Sequence, residues 1–167
     1  MTGTESNVWE PETGLSRAML VTILYRLAGS PSISNYRNPF TDVPTSSYYY
    51  KPVIWAYRNG ITNGTTATLF SPDETVTRTQ AVVMMYRYAN KRNYKFTQKS
   101  INTWDYPDLS TMSGETYNAW LWGLKIGLVD GYLEGTYYYL NGAYTLTRMQ
   151  AAKFINSLQG LSGNWLS

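Results

Sequence analysis

Two of the twenty amino acids are missing from this 167-residue chain, and each absence removes a block of chemistry. There is no cysteine, which excludes disulfides, thiolate nucleophiles, iron–sulfur clusters and cysteine-built zinc sites. There is no histidine, which removes the commonest general base and the commonest metal ligand, and with it serine–histidine hydrolysis. Carboxylate and serine–lysine chemistry survive on composition. Charged residues are few, at 15%, and no apolar run approaches the roughly 18–20 residues that span a bilayer, so membrane insertion is not expected. Met1 is followed by Thr-Gly-Thr-Glu, without the basic and apolar segments of a signal peptide, so the chain is expected to carry no secretory signal of its own. The carboxylates show no calcium-loop spacing, and neither a metal nor a cofactor is expected.

Hydrophobic residues reach 43%, enough for one packed core, and the length allows one domain or two small ones. The net charge is only +3, but no acid lies between Glu74 and Asp105, where Lys91, Arg92, Lys95 and Lys99 fall with Tyr94 and Phe96 among them. A basic stretch with interleaved rings is one signature of nucleic-acid contact. A solvated linker explains it more simply, and no nucleic-acid partner is expected. Tyrosine is the residue in excess, with 16 copies, joined by six tryptophans. Such rings either fill a core or offer faces on which a pyranose packs its C–H groups.

The chain repeats itself. Leu69 to Ala89 aligns without a gap on Val8 to Ala28, and Thr145 to Leu158 is a third copy. The copies are anchored by Arg17, Arg78 and Arg148, spaced by 61 and 70 residues. Apolar residues at i, i+3, i+4 and i+7 predict an amphipathic helix in each: Leu20, Ile23, Leu24 and Leu27; Ala81, Met84, Met85 and Tyr88; Ala151, Phe154, Ile155 and Leu158. A second element, Val53 to Gly64, matches Trp120 to Gly131 at an offset of 67. It reads as a shorter helix entered near Pro52, ended by Gly60 or Gly127, and followed by a turn through Gly64 or Gly131 into an irregular loop. The expected architecture is all-α: helix–loop–helix units sharing one core.

Ser16, Thr77 and Thr147 are natural N-caps, and Thr77 with Gln80 and Thr147 with Gln150 have capping-box spacing. Each arginine therefore occupies the first helical position, facing the positive end of the helix dipole at a cost of about 0.3–1 kcal/mol. Three such placements require a compensating partner. Either an anion is held jointly by guanidinium and free backbone N–H groups, or an internal carboxylate such as Glu12 or Asp73 pairs with the arginine.

Phe40-Thr-Asp-Val-Pro, the stretch from Trp55 to Gly64, Phe70-Ser-Pro-Asp and Val76-Thr-Arg-Thr-Gln80 occur in an order that resembles the S-layer homology domain. The resemblance runs from about Val8 to Gln159. It implies tandem repeats packed as a three-pronged pseudo-trimer around one shared core, with residues 1–30 as the second half of a first repeat, 38–90 as a second, 91–101 as a basic linker and 102–160 as a third. It further implies a non-catalytic module of the bacterial cell surface, binding a secondary cell-wall polysaccharide that bears pyruvylated amino sugar in grooves between neighbouring repeats. Carried onto this sequence, the arginines Arg17, Arg78 and Arg148 meet the pyruvyl carboxylate beside Ser16, Thr77, Thr147, Gln80 and Gln150. Backbone contacts come from Gly60, Gly64, Gly127 and Gly131, and Trp55 and Trp122 are candidates for sugar stacking. Departures from the family pattern are Gln80, Gln150 and Met19 where it has glutamate, and Leu140-Asn-Gly-Ala143 in place of Phe-Ser-Pro-Asp. The first helix of the first repeat is not seen, so one groove is expected to lack a wall and an apolar flank to be left for upstream sequence or a second copy of the chain. Two other readings compete. One is a protein–protein assembly module in which the arginines satisfy internal carboxylates. The other is a glycoside hydrolase using two of Asp105, Asp108 and Glu115, although all three lie in polar loops or at a helix start, where acids suit the dipole anyway.

Overall fold

The computed structural model describes residues 10–94 and 98–162. Val8 and Trp9 of the first copy, Lys95 and Phe96 of the basic stretch, and the start at Met1 lie outside the described residues. Among the described residues five helices carry the fold: α1 (Arg17–Leu27), α2 (Tyr50–Arg58), α3 (Arg78–Lys91), α4 (Gly114–Lys125) and α5 (Arg148–Ser162). Two short 3-10 turns, Thr103–Asp105 and Pro107–Thr111, precede α4. The all-α expectation needs one correction. After α4 the chain forms an antiparallel hairpin, β1 (Tyr132–Glu134) with β2 (Tyr137–Tyr139), in the register Tyr132↔Tyr139, Leu133↔Tyr138, Glu134↔Tyr137. The aromatic Tyr137-Tyr138-Tyr139 run favours extended backbone and decides against the irregular loop. Among the described residues no helix is long and apolar enough to cross a membrane.

The helix ends follow from local chemistry. Ser16 accepts a hydrogen bond from the Met19 N–H, and Thr77 and Thr147 accept from Gln80 and Gln150. The two glutamines reach back to the cap N–H, completing both capping boxes. At the other end, Gly60 and Gly127 sit at φ +68° and +70°. Gly60 donates to Tyr57 and Ile61 to Ala56, with Gly127 to Leu124 and Leu128 to Gly123 as the counterpart, the two bonds of a Schellman termination. Only glycine takes that left-handed position without strain.

The predicted apolar stripes are the core. Leu20, Leu24, Ala81, Met85, Tyr88, Ala151 and Leu158 are buried to within 1% of complete, and the buried apolar side chains of the described residues, Ile54 apart, form one cluster. Each large member contributes about 1.5–3 kcal/mol of transfer free energy. The helices pair across the sequence repeat rather than within it: α1 packs on α2, and α3 on α4. On α1, Leu20, Val21 and Leu24 are buried in this arrangement.

The segments entering α1, α3 and α5 close a ring. The Leu15 N–H donates to the Leu146 carbonyl, Leu146 to Val76, and Val76 back to Leu15, at 2.8–2.9 Å. All three side chains are fully buried. This cyclic exchange sets each helix start against the loop of a neighbouring copy, and it positions the arginines.

Candidate functional site: an arginine cavity between α1, α3 and the loop after α2

The first-turn N–H groups that a helix start normally leaves open are already used. Arg17 N–H donates to Glu74 and Ala18 to Pro72; Arg78 donates to Tyr144 and Thr79 to Gly142; Arg148 donates to Thr13 and Met149 to Pro11, all at 2.8–3.0 Å. The third N–H of each helix goes to the cap hydroxyl. Joint binding of an anion by guanidinium and free backbone N–H groups is thus corrected: only the guanidinium is available. The reason is tertiary, since docking one copy's loop on another's helix start satisfies these donors with carbonyls.

The internal-carboxylate pairing with Glu12 or Asp73 is not formed either. Among the described residues the ion pairs are Arg87–Glu115 and Lys153–Asp130. Arg17 and Arg78 are each only 3% exposed, yet their polar partners are mainly carbonyl oxygens. Arg17 Nε donates to Phe70 at 2.8 Å, and the guanidinium lies 4.9 Å from the Phe70 ring. Burial pulls its pKa below the usual arginine value, opposed by the carboxylates of Glu74 and Asp42. Asp42 itself clamps the strip that carries the Phe70 carbonyl, accepting from the N–H groups of Phe70 and Ser71 at 2.7–3.2 Å.

Arg17 Nη2 is buried and has no hydrogen-bond partner among the described residues. Arg17 lines a cavity of about 520 Å³, within the usual size range of small-ligand sites. One wall is the loop after α2, with Thr62, Gly64 and Thr65; the opposite wall is α3, with Thr79 and Gln80. Arg87 closes the end, held bidentate by Glu115 at 2.6 and 2.8 Å. That ion pair pulls the Glu115 carboxyl below its ordinary value and raises Arg87, the direct hydrogen bond being the larger cause in both. The loop wall depends on Gly64: at φ +83°, a Cβ there would stand 2.5 Å from the Phe40 ring and 2.6 Å from the Leu69 carbonyl.

The equivalent site at Arg78 is filled from within. Nε donates to Leu140 at 2.9 Å, Nη2 to Asp130 at 3.1 Å and Nη1 to the Tyr132 hydroxyl at 3.3 Å. The Tyr132 ring is 4.9 Å from the guanidinium, and its hydroxyl also accepts from Gln150 at 2.6 Å. Burial lowers the Arg78 pKa as well, opposed by Tyr132, Asp130 and Asp108. Arg148 is 9% exposed, with Nε and Nη1 buried and unpartnered among the described residues. The residue of the first copy that aligns with Phe70 is Trp9, outside those residues.

The sequence-derived candidates therefore separate. Arg17, Gly64 and Gln80 meet in one cavity. Arg78 and Gln150 meet at the other, where Gly131 packs against Tyr138. Ser16, Thr77 and Thr147 cap helices, and Gly60 and Gly127 terminate them, with no atom near enough to Gly60 to meet a side chain there. Trp55, 6% exposed, is wedged edge-on against Tyr25 and Tyr88 in the core. Trp122, 9% exposed, packs on Tyr86 beside a different cavity between α3 and α4. Neither lines the cavity at Arg17.

The acids nominated for hydrolysis are engaged in the fold. Asp108 accepts from the N–H groups of Leu140 and Asn141, as Asp42 does for Phe70 and Ser71. Asp105 accepts from Asn102, and Glu115 holds Arg87. No cluster of acidic residues that could hold a metal ion is found among the described residues. Sequence reasoning missed Arg87, Thr62, Thr65 and Tyr132. The last two were legible in principle, because the 67-residue offset sets Thr65 against Tyr132.

Residues 39–82 match the family model of the S-layer homology domain. The chain is 28% identical over 162 residues to an endoglucanase of Bacillus sp. (strain KSM-635), covering 95% of this chain and 16% of that protein. It is 27% identical over 163 residues to an amylopullulanase of Thermoanaerobacterium thermosulfurigenes, covering 97% of this chain and 8% of that protein. The chain thus spans a small part of the length of each.

Proposed function

Because residues 39–82 are an S-layer homology domain, we propose that the chain is a non-catalytic module that holds a bacterial protein to its cell wall by binding an acidic secondary cell-wall polysaccharide, one bearing pyruvylated amino sugar. The self-similar copies are read as tandem repeats of that domain arranged about the ring at Leu15, Val76 and Leu146, a pseudo-trimer. The location that goes with this reading is extracellular, at the cell surface.

One observation carries the ligand assignment: Arg17, whose Nη2 is buried without an acceptor, lines a cavity of saccharide size. A buried guanidinium N–H without an acceptor is costly, and a carboxylate supplies a charge-assisted acceptor. The threonine hydroxyls and Gln80 around it suit the hydroxyls and acetamido group of an amino sugar. Stacking on Trp55 and Trp122 is not part of the proposal, since both rings are buried elsewhere.

The test is sedimentation of the chain with Gram-positive wall sacculi, before and after acid stripping of the secondary polymer. Binding is expected only to the unstripped walls. Arg17→Ala removes a charge-assisted bond of about 1.5–3 kcal/mol, a loss of roughly 10- to 150-fold in affinity. Equal binding by Arg17→Ala, or equal binding to stripped walls, refutes the reading.

A further inference from the structure

The two well-described arginine sites are built on one plan and differ in occupancy. In both, Nε donates to the carbonyl of an aspartate-clamped strip: Phe70 held by Asp42, Leu140 held by Asp108. In both, a Gly-bounded loop faces the N-terminal turn of the next helix. The residue after the second glycine is Thr65 in one copy and Tyr132 in the other. Thr65 bonds within its own loop, to Leu69 and Ser71, and leaves the cavity at Arg17 open. Tyr132 reaches across to the neighbouring helices. Its hydroxyl takes bonds from both Arg78 and Gln150, and its ring lies on the guanidinium. As a result Arg17 keeps a free buried N–H, while Nε, Nη1 and Nη2 of Arg78 each have an acceptor.

We propose that Tyr132 is a tethered occupant of the Arg78 groove, so that beside the open site for an acidic sugar at Arg17 the described residues form a second site of the same class closed by its own hairpin. This rests on the ligand class assigned to Arg17. The phenol hydroxyl stands where the ligand's carboxylate oxygen would be, and the ring stands where the sugar would lie. The cover is one that can be removed. Tyr132 is 39% exposed and begins a two-stranded hairpin of three-residue strands, in which Leu133 and Tyr137 are also exposed. The hairpin is anchored independently of Tyr132, by β2 on the Pro107–Thr111 turn and by the Tyr138 ring on Tyr106, so the Tyr132 side chain can be changed while the hairpin stays in place.

Isothermal titration of the chain with a synthetic pyruvylated N-acetyl amino-sugar glycoside tests this through stoichiometry. The Arg17 site is lost in Arg17→Ala and unaffected by Arg78→Ala. Tyr132→Thr, which gives the closed groove the residue of the open one, is expected to add one site per chain, and Tyr132→Thr/Arg78→Ala to remove it again. The reciprocal Thr65→Tyr is expected to close the Arg17 site, so the proposal does not depend on a single variant. An unchanged stoichiometry in Tyr132→Thr with circular dichroism as in the parent, or loss of parent binding in Arg78→Ala, overturns it. Parent binding that survives Arg17→Ala overturns the ligand assignment instead. An Arg78-dependent gain in Tyr132→Thr would then still stand by itself.

Discussion

Gly64 and Gly60 both adopt a left-handed backbone, at φ +83° and +68°, and alanine at the two positions separates backbone strain from close approach. At Gly60 no atom lies within 4 Å of the added methyl, so Gly60→Ala bears only the left-handed penalty, about 1–2 kcal/mol. At Gly64 the methyl meets the Phe40 ring at 2.5 Å and the carbonyls of Leu69 and Thr66 at 2.6 and 2.7 Å. Two of those three are backbone. Phe40 has little freedom to yield, being 3% exposed and packed against Tyr57 and Phe70. An overpacking cost of about 1–3 kcal/mol therefore adds to the strain, for a total of about 2–5 kcal/mol. Urea denaturation followed by circular dichroism reads the difference as a lower midpoint at unchanged slope. The same substitution displaces the loop wall of the Arg17 cavity, so polymer binding falls in Gly64→Ala and holds in Gly60→Ala. A Gly64→Ala chain no less stable than Gly60→Ala refutes the argument that the loop is held by a close backbone approach.

Asp42→Ala is expected to cost about 2–6 kcal/mol by urea denaturation, since it strands the N–H groups of Phe70 and Ser71, at about 1–3 kcal/mol each. A loss under about 1 kcal/mol would show that the clamp is dispensable. The Arg87–Glu115 pair makes the Glu115 carboxyl more acidic in the folded chain than in the unfolded one. Its contribution is therefore complete above the ordinary carboxylate value of 4.5 and is lost as pH falls below it. The pair is partly exposed, which limits the effect to under about 1 kcal/mol. Denaturation midpoints of the parent and Glu115→Gln are expected to differ at pH 7 and converge near pH 3, and a gap that widens on acidification contradicts the assignment.

Local features of this fold were legible in advance. Thr77 with Gln80 specifies a helix start within four residues, and Gly60 or Gly127 a helix end, because caps and left-handed turns depend on near neighbours. The same holds for the stripe Ala81, Met84, Met85 and Tyr88, whose 3.6-residue period is a property of the helix itself. The arginines were legible as oddities, since each sits at the wrong end of a helix dipole. Their surroundings were not. Arg17 finds its carbonyl 53 residues away and Arg78 its own 62 away, across interfaces that no local pattern encodes. The aromatic run near Tyr138 showed its composition but not its hairpin, which needs a partner strand.

The sequence alone therefore determined the helices, their ends, the repeating arginine and the family resemblance, all of which rest on contacts within a few residues or on order along the chain. Only the tertiary structure decided which helices pair, that loop carbonyls use up the helix-start N–H groups, and that Tyr132 fills one arginine site while Thr65 leaves the other open. Those outcomes depend on the ring joining Leu15, Val76 and Leu146, which brings distant copies together at hydrogen-bond range. At that range a single side chain, threonine or tyrosine, separates an open cavity from a closed one.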